Sequence, residues 1–367
     1  MITVQRADGG AEVVLHSHGA ERLLPALWLR ERSPDPGQLD AGTQQRLVDP
    51  HRFPVDLAVL DASVTDHSVW VRFSDGHEVT YPFEVLARTV DLPDGLPEPL
   101  GWRSGEGHPR RHDWTAVRTE DKAFRDALAD FLTFGTIVVT GTPREEGVVV
   151  EVGNHFGIVR DTNFGRLFDV RSVPNPNDLA YTPVPLGPHT DNPYRDPTPG
   201  IQLLHCIVND TTGGLSTLVD SVAVCEQLRE EDPVGYDLLC TVNVQFRFVD
   251  ATDDLRMTRT VIGRDVHGRV TGLAYSPRLE YLPIMSTADT QAYQRARQRM
   301  SELLCDPAYE ERFVLQPGEV EIFDNQRVLH GRTGFDPQEG LRHLQGCYID
   351  GDAPRSRYRV LQQKVGA

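Results

Sequence analysis

The chain has 367 residues, of which 39% are hydrophobic and 25% charged, and this suits a soluble globular protein built of one large domain and a smaller one. Its formal net charge of −17 would repel the phosphate backbone of a nucleic acid, so that class of partner is excluded. It contains no run of about 18 apolar residues, and the opening MITVQRADGG lacks a basic stretch leading into an apolar one, so neither a membrane span nor a secretion signal is expected.

Residues 11–90 read as a compact strand-rich unit. HSVWVRF (67–73) alternates apolar and polar residues, Ser74-Asp75-Gly76 makes a turn, and HEVTYPF (77–83) alternates again, so a hairpin is predicted. From Asp91 to Trp114 the chain is rich in Pro and Gly and lacks periodicity. The expected division is therefore a small N-terminal domain over 1–95, a linker over 96–113 and a second domain over 114–367. In EDKAFRDALADFLTFG (120–135), Phe124, Leu128 and Leu132 recur at helical spacing, Gly135 stops the helix, and TIVVTG follows as a short buried strand. From about 160 to 350 many short apolar runs are broken by Pro, Gly, Asn and Asp, the pattern of an antiparallel sandwich or barrel. A helix over 287–304 interrupts it, with Tyr293, Ala296, Met300 and Leu303 on one face.

Five cysteines (Cys206, Cys225, Cys240, Cys305 and Cys347) are an odd number, and none lies within four residues of another. A disulfide framework and a CxxC zinc site are not expected, and a reducing cytoplasm is.

Before the apolar run IQLLHCIV stand His189, Thr190 and Asp191. Residues i and i+2 of a strand point the same way, so His-x-Asp at a strand end delivers two ligands together. Two histidines and one carboxylate suit Fe(II), leaving other coordination positions open. The best third candidate is His330 in VEIFDNQRVLHGRTGF, where a strand (319–323), a turn at Asp324-Asn325 and a second short strand precede it. Arg342 opens a further strand and could grip a carboxylate through two parallel hydrogen bonds. Other histidines read differently: His205, inside LLHC, as a core residue, and His155 and His267 as surface or turn residues.

HTDNPYRDPTPGIQLLHC, GGLSTLVDS, GEVEIFDNQRVLHGRTGF, RHLQGCYID and the N-terminal ALWLRERSP together resemble the γ-butyrobetaine hydroxylase-like group of Fe(II)/2-oxoglutarate dioxygenases over nearly the whole chain. The resemblance implies a mainly β fold with flanking helices, a double-stranded β-helix (jelly-roll) catalytic domain behind a small β-rich N-terminal domain. It implies His189, Asp191 and His330 as iron ligands, Arg342 at the distal carboxylate of 2-oxoglutarate, and Ser216 and Leu204 beside that co-substrate, with O2 as the second co-substrate. Ser216 reads equally as a turn hydroxyl after Gly213-Gly214. Members of the group commonly hold a structural zinc through three cysteines and a histidine. Here those positions read Ser33, Asp35 and about Gln38, with His77 retained, so no structural zinc is expected.

The group's known substrates carry a trimethylammonium head, which aromatic ring faces recognise. The corresponding positions read Phe164, Phe168, Tyr181 and Tyr348, with Asn192 after His-x-Asp. Aromatic residues in a sandwich are also ordinary core residues. Asp178, Ser276 and Arg278 stand where the group holds the acid end of a betaine; Arg278 could bind a carboxylate or phosphonate, or pair with Asp178. The expected partner is thus a small-molecule substrate such as γ-butyrobetaine, trimethyllysine or a trimethylaminoethylphosphonate, or else a different, uncharged biosynthetic intermediate. A homodimer is compatible with a sequence that does not set the oligomeric state. A non-catalytic small-acid-binding β-helix and a zinc hydrolase are the readings from other classes. The first leaves the open iron positions without a use, and the second lacks a positioned general base and leaves Arg342 unexplained.

Overall fold

The alternating stretches on either side of Ser74-Asp75-Gly76 pair as an antiparallel hairpin, Ser68–Phe73 with Glu78–Pro82, and Gly76 takes the positive φ of 84° that the turn requires. The structure, a computed structural model, describes residues 3–17, 20–90, 95–171 and 182–365. Asp178 and Tyr181 lie outside the described residues. The chain divides into two units, Met1–Gly95 and Leu96–Ala367.

In the first unit the hairpin and Val59–Val64 form one three-stranded antiparallel sheet, and Thr3–Arg6, Glu12–Ser17 and Ala20–Pro25 form another. Inward-facing Val13, Leu24, Leu29, Val59, Val71, Phe73 and Tyr81 make its core. The positions that resemble a zinc site carry hydrogen bonds instead. The Ser33 hydroxyl lies 2.9 Å from His77 Nε2, and Arg30 donates to Asp75 Oδ2 at 2.8 Å and to Gln38 Oε1 at 2.9 Å. Arg30 is buried, and its guanidinium lies over the Phe53 ring. Burial, followed by the Arg30 charge, lowers the pKa of His77.

The second unit is a double-stranded β-helix. From Leu186 onward its strands are shared between two sheets, with an insertion carrying two further small sheets between Ser216–Asp220 and Glu310–Phe313. Leu186–His189, Ser216–Asp220, Glu310–Phe313 and Val328–Arg332 lie in a four-stranded sheet; Ile201–Asn209, Val320–Asp324 and Arg342–Ile349 lie in the larger one. The larger sheet also takes Phe168–Val170 beside Arg342–Ile349, and Thr136–Thr140 and Arg110–Asp113 on its far side. Period-two alternation then sorts side chains to two buried faces. Ile201, Leu203, Ile137, Val139, Ile322 and Ile349 pack outward in one core with Phe124, Leu128 and Phe131 of the Asp121–Phe134 helix. Leu204, Cys206, Val138, Phe323 and Leu344 point inward, toward Leu218 and Val328 of the smaller sheet. With both faces covered, Ile201–Asn209 stays buried from Ile201 to Ile207, polar Gln202 and His205 included.

Gly135 caps the Asp121–Phe134 helix at φ 75°, and a Cβ there would stand 2.9 Å from Val328 Cγ2. The helix Thr287–Leu304 buries Tyr293, Ala296, Met300 and Leu303, as its spacing predicts. Three expectations change. Residues 96–113 include firmly packed groups: Trp102 is 1% exposed and donates to the Phe134 carbonyl, and Arg110–Asp113 adds a parallel strand. His155 is a packing residue, because its helix Val148–Phe156 turns it onto Trp114 and Phe124, with Nε2 3.1 Å from the Val117 carbonyl. His330 lies within the strand Val328–Arg332, not after it.

Candidate active site

Strand pairing brings the two histidines together. His189 closes its strand directly opposite His330, and His330 is in turn opposite Leu218. Their ring centroids stand 4.3 Å apart, and Phe323 from the facing sheet packs on His330 at 4.7 Å. Asp191 turns its carboxylate between them, Oδ1 3.2 Å from His189 Nε2 and Oδ2 3.7 Å from His330 Nε2. One donor atom from each residue lies within 4.8 Å of the other two.

The segment holding Asp191 is clamped by its backbone. The Asp191 amide donates to Asn325 Oδ1 at 2.8 Å, and Asn325 Nδ2 donates to the carbonyls of Asp191 and Pro199, each at 3.0 Å. Thr190 donates its hydroxyl to the Leu273 carbonyl at 2.6 Å, and its amide to that of Tyr275. Asn325 is fully buried; the sequence marked it only as a turn residue.

The donor set fits a divalent metal such as Fe(II). His189 Nδ1 lies 3.0 Å from the Gly187 carbonyl, and that bond fixes the tautomer leaving the Nε2 lone pair toward the cluster. Burial, reinforced by the neighbouring imidazole, lowers the His330 pKa to about 3, so this ring is neutral, the ligating form. Burial alone would raise the Asp191 carboxyl. The two imidazoles and the Tyr348 hydroxyl, 2.8 Å from Oδ2, outweigh it and hold the group ionised, below the usual carboxylate range. Burial and the Asp191 charge push the Tyr348 hydroxyl well above its ordinary pKa, so it stays a donor.

The cluster opens into a cavity of about 410 Å³. Every sequence-predicted site residue among the described ones lines it: His189, Asp191 and His330; Leu204, Ser216 and Arg342; Phe164, Phe168, Asn192, Arg278 and Tyr348. Arg342 is 5% exposed and donates to the Gly214 carbonyl at 3.0 Å, while its Nε has no hydrogen-bond partner among the described residues. It passes so close to Gly214 (φ 67°) that a Cβ there would stand 2.7 Å from Nε. Two neighbouring arginines are engaged elsewhere. Arg327 pairs with Asp220 at 3.2 Å and donates to Leu100 and Thr133 carbonyls, and Arg332 donates to the carbonyls of Thr182 and Val184.

One wall is aromatic. Phe168 and Tyr348 stand 5.2 Å apart, and Phe248 bridges Tyr194 at 5.1 Å and Phe164 at 6.2 Å. Sequence reasoning missed Phe248, Tyr194 and Gln202, whose buried Oε1 has no partner among the described residues. For Gln202 the available signal was position: it lies two residues before Leu204 on the inward face, opposite Tyr348 and Phe323. Phe248 sits in the long insertion between Ser216–Asp220 and Glu310–Phe313, where local spacing carries no mark of the cavity.

The profile of the "Taurine catabolism dioxygenase TauD, TfdA family" matches residues 100–348, and that of "Gamma-butyrobetaine hydroxylase-like, N-terminal" matches residues 4–87. Among curated proteins the chain is 35% identical to a "Gamma-butyrobetaine dioxygenase" of Pseudomonas sp. (strain AK-1), covering 92% of this chain and 90% of that one. It is 30% identical to "Dioxygenase str8" of Strobilurus tenacellus, over 97% of this chain and 88% of the other. It is 25% identical to a "Trimethyllysine dioxygenase" of Meyerozyma guilliermondii, over 96% and 94%. Among the described residues no helix is long and apolar enough to cross a membrane. With the metal-binding constellation in its jelly roll and a family profile spanning that whole fold, the chain belongs to the TauD/TfdA family and is an Fe(II)- and 2-oxoglutarate-dependent dioxygenase.

Proposed function

We propose that the protein hydroxylates a small molecule bearing a trimethylammonium group, of the γ-butyrobetaine, trimethyllysine or trimethylaminoethylphosphonate type. The observation that carries this reading is the make-up of the cavity: one wall of ring faces, an arginine at another point, and the His189/Asp191/His330 cluster in the same space. A quaternary ammonium offers no hydrogen bonds and is attracted by ring faces. Phe164, Phe168 and Tyr348 supply them, and Phe248 and Tyr194 add to the same lining. Arg278, on the cavity lining, serves the acid end. The relatives named for γ-butyrobetaine and trimethyllysine support the same chemistry. In this reading 1–95 is a small N-terminal domain, and the dioxygenase domain occupies 114–367.

His189, Asp191 and His330 would hold the iron. With 2-oxoglutarate and O2 it would supply the oxidising power: the co-substrate would lose carbon dioxide to become succinate, one oxygen atom entering succinate and the other a substrate C–H bond. The chain's own residues bind, orient and exclude. Arg342 holds the distal carboxylate of 2-oxoglutarate, its unpartnered Nε being available for that contact, with Ser216 and Leu204 alongside. Tyr348 donates to Asp191 and fixes the carboxylate's rotation. The aromatic wall and Leu344 restrict which C–H reaches the iron and keep bulk water away.

The wall is rich in phenylalanine, a weaker cation binder than tryptophan, and this favours a second reading in which the substrate is an uncharged biosynthetic intermediate. The test is substrate-stimulated succinate formation across a panel of betaines, amino acids and phosphonates, each beside a neutral tert-butyl isostere. Stimulation by a betaine but not by its isostere supports the first reading. Equal or stronger stimulation by the isosteres refutes it in favour of the second.

A further inference from the structure

Glu321 faces inward from the Val320–Asp324 strand, directly opposite Leu204 on one side and Val138 on the other, and is 1% exposed. An acid among such neighbours is costly unless it is neutral or paired. Its carboxyl interacts with the nearby Ser216 hydroxyl, and its Oε1 has no hydrogen-bond partner among the described residues. The charged and titratable groups facing it are Arg342 from the Arg342–Ile349 strand, Glu319 from its own chain and, beside Arg342, the Cys206 thiol from Ile201–Asn209. The Thr136–Thr140 strand presents Val138, which is uncharged. Glu319 is engaged by Arg111 at 3.2 Å, and burial pushes Cys206 up to about 12, so the thiol stays neutral. Ser216 and Arg342 line the cavity, so an acid touching one and facing the other stands just behind the surface to which an anion would bind.

We propose that Glu321 is a positioning residue for the co-substrate. As a neutral acid it donates a hydrogen bond to Ser216 and turns that hydroxyl toward the distal carboxylate gripped by Arg342. When Glu321 starts ionised, co-substrate binding therefore takes up one proton. The inference rests on the proposed role of Arg342 and Ser216. An ionised Glu321 would set a second carboxylate beside the incoming one around a single guanidinium, and two buried like charges resist ionising together. Burial raises this carboxyl to about 8, opposed only in part by Ser216 and Arg342. The bound co-substrate raises it further. Affinity is therefore full below that value and falls as pH rises through it.

The test is the dissociation constant of 2-oxoglutarate, measured by calorimetry on the anaerobic Fe(II) protein from pH 7 to 9 in two buffers of different ionisation enthalpy. Linkage through one such group predicts about tenfold weaker binding at pH 9 than at pH 7, with proton uptake approaching one. Glu321→Gln, which keeps the shape and has no proton to lose, should show less than about a twofold change and no uptake. A flat wild-type profile, or Glu321→Gln with the wild-type slope, overturns the inference. Arg342→Ala separates it from the reading beneath. Lost binding in that variant together with a flat wild type sinks only the role of Glu321. Unchanged binding in Arg342→Ala sinks both.

Discussion

Gly346 offers a direct way to move the aromatic wall without touching it. It lies opposite Phe168 across the strand pair, and the phenylalanine ring folds over it. A Cβ at Gly346 would stand 2.4 Å from Phe168 Cζ, 2.5 Å from Cε2 and 3.0 Å from Leu204 Cδ2. Ordinary carbon–carbon contact is roughly 3.5–4.0 Å, so in Gly346→Ala the ring must retreat by about 1 Å or more. Overpacking of this kind costs about 1–3 kcal/mol of stability. A ring face over a cation contributes about 0.5–2 kcal/mol, and its loss converts to a rise of between about twofold and thirtyfold in the substrate KM. Neither the metal cluster nor Arg342 is among the nearest atoms to the added methyl, and Leu204, which stands beside the co-substrate, is met less closely than Phe168, so the KM for 2-oxoglutarate should rise much less than that for the betaine. Initial rates of succinate formation against each substrate in turn measure both constants, and a thermal melt reports the stability loss. If the melting temperature falls while the betaine KM is unchanged, Phe168 does not form the substrate wall. If the 2-oxoglutarate KM rises as much as the betaine KM, the cavity does not divide as described.

Three further outcomes are expected. Asp191→Ala should reduce iron bound per chain, measured by elemental analysis, and reduce turnover to background; near-full hydroxylation in that variant would contradict the ligand assignment. Arg327→Met should destabilise the protein by about 3–5 kcal/mol in urea unfolding, because it strands the fully buried Asp220 carboxylate, and a change below about 1 kcal/mol would mean the ion pair adds little. Purified protein should carry no stoichiometric zinc, since Ser33, Gln38 and His77 are engaged in hydrogen bonds within the first unit; one zinc per chain would overturn the argument from the missing cysteines.

Much of the site could be read before any coordinates. His-x-Asp before an apolar run, His-Gly in a later strand and an arginine at the head of the next are local signals, and all of them line one cavity. The hairpin about Gly76, the helix ending at Gly135 and the amphipathic helix Thr287–Leu304 were legible for the same reason. Each depends on neighbours within a few residues, where the periods 2 and 3.6 and the φ freedom of glycine are written directly.

What the tertiary structure decided is which distant groups meet. Asn325 reads locally as a turn residue, but only the fold lays its amide against the Asp191 backbone, 134 positions away. Arg327 and Arg342 are alike by type. Asp220 occupies the first, while the second is left with an open Nε at the cavity. His155 looked like a surface residue until a helix turned it onto two aromatic rings, and Phe248 reached the wall from an insertion with no local sign of it. Pairing in a β-helix joins strands far apart in the chain, and the partner that satisfies or leaves open a buried polar atom is set by that pairing. Residue type and local period determined the chemistry this chain can carry; long-range strand register determined which atoms are left free to perform it.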